Sequence, residues 1–206
     1  MTDGMIRKAG VFEIVNHWAM SITFLVLGAT GFGFLFHMEK MNVIFGDFNR
    51  MRTVHNWFGV AFSVLVLFKI VLYLPHVLSF DGDDVRWLLQ GGGYLSKNAV
   101  VPPQGKLNAG QKLFAAVIIV AGVAMAASGF IIWLMPGVKR WLLLSQLAHN
   151  VSFDLLVFAV PIHIYLASLA SPGSARIMLS GTVPLAWARK RHAKWVAALE
   201  SKAAVE

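Results

Sequence analysis

The sequence contains no cysteine and few charged residues, and both absences narrow the kind of protein it encodes. Without cysteine there is no disulfide framework, no thiolate-held iron–sulfur or zinc site, no covalently attached c-type haem and no cysteine nucleophile. Any redox metal must be held by histidine, methionine or carboxylate. Only 14% of the 206 residues are charged and 57% are apolar, whereas soluble domains contain about 25% charged residues. The composition is that of a membrane protein.

Four long apolar stretches predict an all-α membrane protein, with one domain over 1–206 that forms a bundle of four transmembrane helices. About 20 helical residues cross a bilayer core of about 30 Å. Backbone groups in lipid must bond within their own segment, which favours helices over strands. The predicted spans are 14–36, 54–78, 111–136 and 147–171, followed by a tail over 172–206.

The distribution of basic residues predicts the orientation of the bundle. The N-terminus, the segment 79–112 (which includes Lys97) and the tail contain twelve Lys and Arg, whereas the loops 37–53 and 135–146 contain five. Because the more basic side stays inside, we expect both termini in the cytoplasm. The first apolar stretch is longer than a signal-peptide core of about 7–15 residues, and no small-x-small site follows it, so we expect a retained helix.

The histidines are the candidate metal ligands. They are His17, His37, His55, His76, His149, His163 and His192. His149 and His163 are fourteen residues apart on the fourth predicted helix. At 100° per residue they share a face to within about 40° and lie about 21 Å apart along the axis. We expect three others, at a loop, a helix end and the basic tail (His37, His76 and His192), to be interfacial or solvated.

The remaining four histidines fall at two matched depths in antiparallel helices: His55 with His149 near the outer face, and His17 with His163 toward the cytoplasm. Two imidazoles at one level of a bundle are what a six-coordinate b-type haem requires, and a lone polar ring is unfavourable in lipid. The sequence therefore predicts two b-type haems. Lys69, fourteen residues after His55, is a candidate partner for a propionate of the inner haem, the alternative being a lysine that snorkels to the interface.

Small residues in three of the predicted helices give room for a flat macrocycle close to the backbone. They are Gly28, Gly31, Gly59, Gly122, Ser128 and Gly129. The alternative is the ordinary close packing of membrane helices through small residues.

Several motifs along the chain resemble the membrane cytochrome b (gamma) subunits of respiratory formate dehydrogenases, within the di-haem cytochrome b family shared with hydrogenase cytochrome b subunits. The motifs are Phe12 to Trp18, Gly28 to Gly33, His55 with Phe58-Gly59, Lys106 to Lys112, Ser128 to Trp133, the His149/His163 spacing, and Gly173-Ser174 through Gly181 to Lys190 and Trp195. The resemblance covers nearly the whole chain.

The resemblance implies a subunit that does not itself oxidise formate. It implies a bacterial inner membrane and a respiratory complex with two partners, a molybdenum or tungsten catalytic subunit and an iron–sulfur subunit with one anchoring helix. Electrons would pass through the outer haem (His55, His149) and the inner haem (His17, His163) to a menaquinone or ubiquinone. The quinone site implied by the resemblance contains Asn108, Gly110, Gln111, Leu166 and Ala167.

Alternatives remain open at this point. Asn108 also suits the N-cap of the third helix, where its amide oxygen would accept a backbone hydrogen bond. The same cytochrome type serves hydrogenases and sulfur-compound reductases. From a different class, a histidine-based metal transporter or a purely structural anchor would use the same histidines for transport or for packing.

Overall fold

The computed structural model describes residues 4–94 and 100–204, so Lys97 and the last two residues of the predicted tail lie outside the described residues. Four long helices dominate the described chain. In chain order the elements are β1 (Met5–Arg7), α1 (Val11–Leu35), a 3-10 turn (Glu39–Met41), α2 (Asn42–Phe45), α3 (Phe48–Leu78), α4 (Gly82–Leu89), a second 3-10 turn (Gly91–Gly93), α5 (Ala109–Leu134), α6 (Lys139–Ser168), α7 (Arg176–Ser180), β2 (Thr182–Pro184), α8 (Leu185–Arg191) and α9 (Ala193–Ala203).

The prediction of four membrane-spanning helices is confirmed, because α1, α3, α5 and α6 are each long and apolar enough to cross a bilayer. All four begin earlier than the apolar pattern indicates, and the difference is largest for α3, which begins at Phe48, and for α6, which begins at Lys139. Hydropathy detects only the apolar part of a helix, and these first turns contain basic and polar residues. As a result, His55 and His149 lie well inside their helices rather than at the first turn.

The chain divides into two compact units, and each of the four long helices contributes to both. The helical unit comprises Val15–Ile70 and Val117–Phe158. The terminal unit comprises the described parts of 1–14, 71–116 and 159–206.

The core of the helical unit begins with a buried stripe on α1. Its members recur every three or four residues: Asn16, Met20, Thr23, Leu27, Thr30 and Gly33. Met20 and Leu27 pack with Phe62 and Val66 of α3. A Cβ added to Gly122 of α5 would lie 2.9 Å from Val66 Cγ2, so this glycine allows close approach of two helices, as small residues do in membranes.

The terminal unit joins the N-terminus to the tail. The strands β1 and β2 pair antiparallel, with Ile6 opposite Val183, and Val183 is buried with Ala9 and Ile177. Gly181 has a φ of +75°, and a Cβ there would lie 2.6 Å from Ala9 O. Glycine is required at this turn because both the conformation and the contact exclude a side chain.

His192 is buried in this unit, which corrects the expectation of a solvated residue. It is 1% exposed, its Nδ1–H donates to Gly105 O at 2.7 Å, and its Nε2 accepts from Lys8 Nζ. The Lys8 ammonium lies over the rings of Trp187 and Trp195, 5.3 and 5.8 Å from their centroids. Burial, reinforced by the charge of Lys8, lowers the pKa of His192 to about 3. His192 therefore lies in a packed polar cluster rather than in a solvated tail.

Candidate functional site

Within the helical unit, His55 of α3 and His149 of α6 face each other. Their ring centroids are 6.3 Å apart and the rings are inclined by 57°. A metal held about 2 Å from one nitrogen of each of two opposed imidazoles separates the ring centres by about 6 Å. The structure therefore brings together the pair that the sequence assigns to the outer depth, at a spacing that fits a shared iron.

The tautomer of His55 is set by Thr30 of α1. Thr30 Oγ1 lies 2.7 Å from His55 Nδ1, and the threonine hydroxyl donates to the carbonyls of Val26 and Leu27 at 2.8 and 3.1 Å. A hydroxyl has one proton, and with that proton donated to its own helix Thr30 Oγ1 accepts the hydrogen bond from His55 Nδ1–H. The neutral ring then keeps its lone pair on Nε2, the atom available to a metal.

His149 is oriented in the same way by α5. Its Nδ1 lies 3.0 Å from Ser128 Oγ and 3.2 Å from Met125 O. The serine hydroxyl donates to Ala124 O at 2.6 Å, and a carbonyl oxygen only accepts, so Nδ1 of His149 is the protonated nitrogen. Both rings of the pair thus present an unprotonated Nε2, the state that a metal-binding imidazole requires.

A cavity of about 650 Å³ lies beside the two rings, within the range of sites that hold small organic ligands. Its apolar lining includes Leu27, Phe34, Val60, Phe62, Met125 and Phe130. The polar lining residues besides the histidines are Arg52, Asn56 and Ser63. An apolar wall with two convergent imidazoles and one arginine in the lining suits a flat, largely apolar group that has acidic substituents.

Glycines keep this cavity open. Gly59 and Gly129 both line it. A Cβ added to Gly59 would have no described atom within 4 Å, and one added to Gly129 would lie 3.3 Å from His149 Cε1. These two positions, together with the histidine pair, fit a macrocycle such as haem.

The glycines of α1 have a different environment. A Cβ added to Gly28 or Gly31 would meet the ring of Phe153 at 3.9 or 4.0 Å. Phe153 also packs edge-to-face on Phe32, with centroids 5.1 Å apart. Gly28 and Gly31 therefore serve the close packing of side chains, whereas Gly59 and Gly129 leave space for a flat macrocycle.

The inner pair predicted from the sequence is divided between the two units. His17 lies in the helical unit, edge-to-face with Trp18 at 5.4 Å. His163 lies in the terminal unit, where it stacks on Phe114 of α5 with centroids 4.1 Å apart and planes inclined by 5°. The pairing of His17 with His163 stays a prediction, as does the propionate role of Lys69, which is half-buried in the helical unit.

The predicted quinone residues at the start of α5 form a reciprocal cap. Gln111 N donates to Asn108 Oδ1 at 2.9 Å, and Asn108 N donates to Gln111 Oε1 at 3.1 Å. The side-chain oxygen of Asn108 therefore acts as the N-cap of α5, as the capping alternative predicts. Both side-chain NH₂ groups still have donor hydrogens, and burial raises the pKa of the Tyr94 hydroxyl.

The other predicted quinone residues also lie in the terminal unit. A Cβ at Gly110 would be 3.2 Å from the ring of Trp87, so the lack of a side chain lets the indole pack closely against the backbone of α5. Leu166 and Ala167 are half-buried on α6, about one turn beyond His163.

Thr30 and Arg52 are site residues that sequence reasoning missed. Hydroxyl groups in helices usually bond back to their own backbone, and Thr30 does this too, so its contact with a histidine 25 positions away leaves no local pattern. Arg52 was counted only as a loop charge, although its spacing of three residues before His55 places it on the same helical face.

Comparison with known proteins identifies the family. The profile of the prokaryotic cytochrome b561 family matches residues 8–181. The cytochrome b556(Fdn) subunit of the nitrate-inducible formate dehydrogenase of Escherichia coli (strain K12) is 30% identical over 203 residues, covering 95% of this chain and 92% of the relative.

Two further relatives have similar descriptions. The cytochrome b556(fdo) subunit of formate dehydrogenase of the same organism is 29% identical over 192 residues, covering 89% of this chain and 88% of that protein. The formate dehydrogenase cytochrome b556 subunit of Haemophilus influenzae is 28% identical over 187 residues, covering 88% and 78%. Given the extent of these matches, this chain belongs to the prokaryotic cytochrome b561 family of membrane proteins, which use b-type haem.

Proposed function

We propose that this chain is the membrane subunit of a formate dehydrogenase complex, holding two b-type haems and passing electrons from an iron–sulfur subunit to membrane quinone. The observation that supports this most directly is the opposed His55–His149 pair, with both Nδ1 atoms hydrogen-bonded and an apolar cavity beside it. The descriptions of the relatives name the enzyme complex.

At the outer site, the protein's contribution is to hold and orient. His55 and His149 are the proposed iron ligands, and Thr30, Ser128 and Met125 O fix their tautomers. Arg52, which lines the cavity, is the proposed partner of a haem propionate. A haem held here would supply one-electron chemistry, and the apolar lining would limit water around it, which keeps solvent reorganisation during electron transfer small.

For the inner site, the proposal rests on sequence spacing. His17 and His163 are the proposed ligands because each lies one haem spacing deeper than a member of the outer pair in the predicted antiparallel arrangement. Lys69 occupies the same face as His55, fourteen residues later, and is the proposed propionate partner there.

The proposed quinone site lies at the start of α5. The oxygens of Asn108 and Gln111 are engaged in the cap, so these amides would recognise a quinone carbonyl through the N–H groups that remain. Leu166 and Ala167 would provide an apolar wall, and Gly110 the close backbone approach. Protons for the reduced quinone would come from the cytoplasmic side if both termini are cytoplasmic, as the basic residues indicate.

The proposed partners are an iron–sulfur subunit with one membrane anchor and a molybdenum or tungsten catalytic subunit. A hydrogenase or sulfur-compound reductase would use the same haem arrangement, and co-purification identifies the actual donor. A metal transporter is the alternative from a different class; within residues 4–94 and 100–204, no group of three or more His, Cys, Asp and Glu side chains is placed to hold a metal ion.

A haem count on the purified chain tests the proposal. A pyridine haemochrome assay should give two b-type haems per chain. His149→Ala should remove the outer haem and His163→Ala the inner one, each leaving the other spectrum in place. His37→Ala, at an exposed loop residue, is the control and should retain both. A chain without haem despite adequate supply, or full haem content in His149→Ala, contradicts the proposal.

A further inference from the structure

Asn16 is a buried polar residue on α1 that lacks an internal partner. It is 2% exposed, and neither its Oδ1 nor its Nδ2 has a hydrogen-bond partner among the described residues. Burying an amide without hydrogen bonds costs about 1–3 kcal/mol. Asn16 opens the same buried stripe that contains Thr30, so it belongs to the face of α1 that packs on α3.

The register between α1 and α3 places Lys69 at the level of Asn16. Thr30 contacts His55 directly. Moving fourteen residues back along α1 gives Asn16, and moving fourteen residues on along the antiparallel α3 gives Lys69, each about 21 Å away on the same face. The cluster of Met20 and Leu27 with Phe62 and Val66, against which Leu65 and Ile70 also pack, keeps the two helices together over the middle of this distance.

The two side chains at this level are complementary to a carboxylate. An ammonium group has three donors and an amide has two, and a carboxylate only accepts. If Lys69 donates to both the carboxylate and Asn16 Oδ1 while Asn16 Nδ2 donates to the carboxylate, both orphan atoms of Asn16 are satisfied. A carboxylate is also a favourable partner for the charge of a lysine within a membrane helix.

We infer that Asn16 and Lys69 form a binding site for a carboxylate, and that this carboxylate is a propionate of the haem held by His17. The inference rests on the proposed function for the identity of the ligand, and it adds Asn16 as a positioning residue. His17 is adjacent to Asn16, so the iron ligand and the carboxylate site would be fixed by the same turn of α1.

A redox titration of the purified holo-protein tests the inference, with the outer haem as the internal measure of folding. Lys69→Met removes a positive charge near the inner haem and should favour its oxidised form. We expect the oxidised-to-reduced ratio at a fixed potential to rise on the order of tenfold, the effect of a unit charge at about 10 Å in a medium of effective dielectric constant about 20. Lys69→Arg should restore the original behaviour.

Asn16→Leu separates carboxylate binding from a long-range charge effect, because it changes no charge. It should shift the inner haem in the same direction, by a smaller amount, and should perturb the propionate bands of the redox-difference infrared spectrum. In a Lys69→Met background the Asn16→Leu shift should largely disappear, since residues that bind one group are coupled. Thr23→Val, on the same stripe, is the control and should change neither measurement.

The outcomes distinguish this inference from the proposed function. A wild-type protein without a second haem contradicts the proposed function. A wild-type protein with two haems whose inner potential and propionate bands are unchanged by Asn16→Leu overturns the carboxylate site alone. If Asn16→Leu loses the outer haem as well, the variant has misfolded, and Asn16→Ser is then used in its place. Unchanged propionate bands in Asn16→Ser would overturn the proposed carboxylate site.

Discussion

Replacing Thr30 by valine tests whether the hydrogen bond to His55 prepares this imidazole for iron. Thr30 is 0% exposed and lies 2.7 Å from His55 Nδ1. Valine has nearly the same shape but cannot accept a hydrogen bond. The buried Nδ1–H would lose its acceptor at a cost of about 1–3 kcal/mol, and a neutral ring that moves its proton to Nε2 loses the lone pair that iron needs.

The expected result is faster loss of the outer haem. Removing a hydrogen-bond partner of a metal-binding histidine weakens metal affinity by about 10–100-fold. The assay is the rate at which the reduced, detergent-solubilised protein transfers haem to an excess of apomyoglobin, with the final haem count from the pyridine haemochrome. We expect the transfer of one haem of the Thr30→Val variant to accelerate by a factor in that range.

Thr23→Val is a matched control on the same helix. Thr23 is 8% exposed, and its hydroxyl also donates to its own helix, to the carbonyls of Ala19 and Met20 at 3.0 and 2.9 Å. This substitution should leave both transfer rates unchanged. Equal rates in the wild type and in both valine variants would refute the reasoning.

A second comparison uses the acceptors of His149. Its Nδ1–H has two acceptors, Ser128 Oγ and Met125 O, so Ser128→Ala removes one and leaves the other. We therefore expect Ser128→Ala to accelerate haem transfer less than Thr30→Val does. The reverse order would show that the serine rather than the carbonyl fixes this ring.

Three further predictions concern space, a buried charge and pH. Gly59→Leu should lower the haem occupancy of the outer site, measured by the haem count, because the leucine side chain enters the cavity. Gly122→Ala should lower the thermal stability, measured by an unfolding scan, because the added methyl group meets the neighbouring helix. Asp84→Asn removes the carboxylate that lies 2.7 Å from the ammonium nitrogen of a buried lysine, and it should lower the free energy of unfolding by about 3–5 kcal/mol. Glu200→Gln, in an exposed pair, should lower it by less than about 1 kcal/mol in the same unfolding scan. Below about pH 6.5 His192 is protonated in the unfolded chain but not in the folded chain, where its pKa is about 3, so the free energy of unfolding should fall by about 1.4 kcal/mol per pH unit until about pH 3. Denaturant unfolding followed by tryptophan fluorescence at a series of pH values measures this dependence, and His192→Gln should flatten it. An equally steep pH dependence in the variant would show that other groups cause it.

The helices and the depth of the outer histidines were predictable because they depend on properties that repeat along the chain. Apolar length identifies a membrane helix, and fourteen residues are close to four turns, so His149 and His163 share a face whatever surrounds them. The boundaries at Phe48 and Lys139 were less predictable, because the polar first turns of α3 and α6 lie outside the apolar pattern.

The tail was not predictable in the same way. The basic residues of the tail and of the N-terminus are those of solvated segments, yet His192 in the tail and Lys8 in the N-terminus are 1% and 5% exposed. Their burial depends on contacts between residues 184 positions apart and on the indole rings that cover Lys8. A single sequence gives no local sign of such contacts, because the same residue types are common on exposed surfaces.

The polar residues of the buried stripe of α1 are small and neutral, and their hydrogen-bonding capacity decides what each can do. A hydroxyl within a membrane helix satisfies its own proton at the i−4 or i−3 carbonyl, so Thr30 and Thr23 are tolerated with or without a neighbour. The neighbouring imidazole of His55 gives Thr30 a second role, which is to accept a hydrogen bond. Asn16 has no such internal solution, since an amide has two donors and one oxygen to satisfy. Its position on the stripe therefore indicates a ligand more strongly than either threonine does, and the comparison of Asn16→Leu with Thr23→Val measures that difference directly.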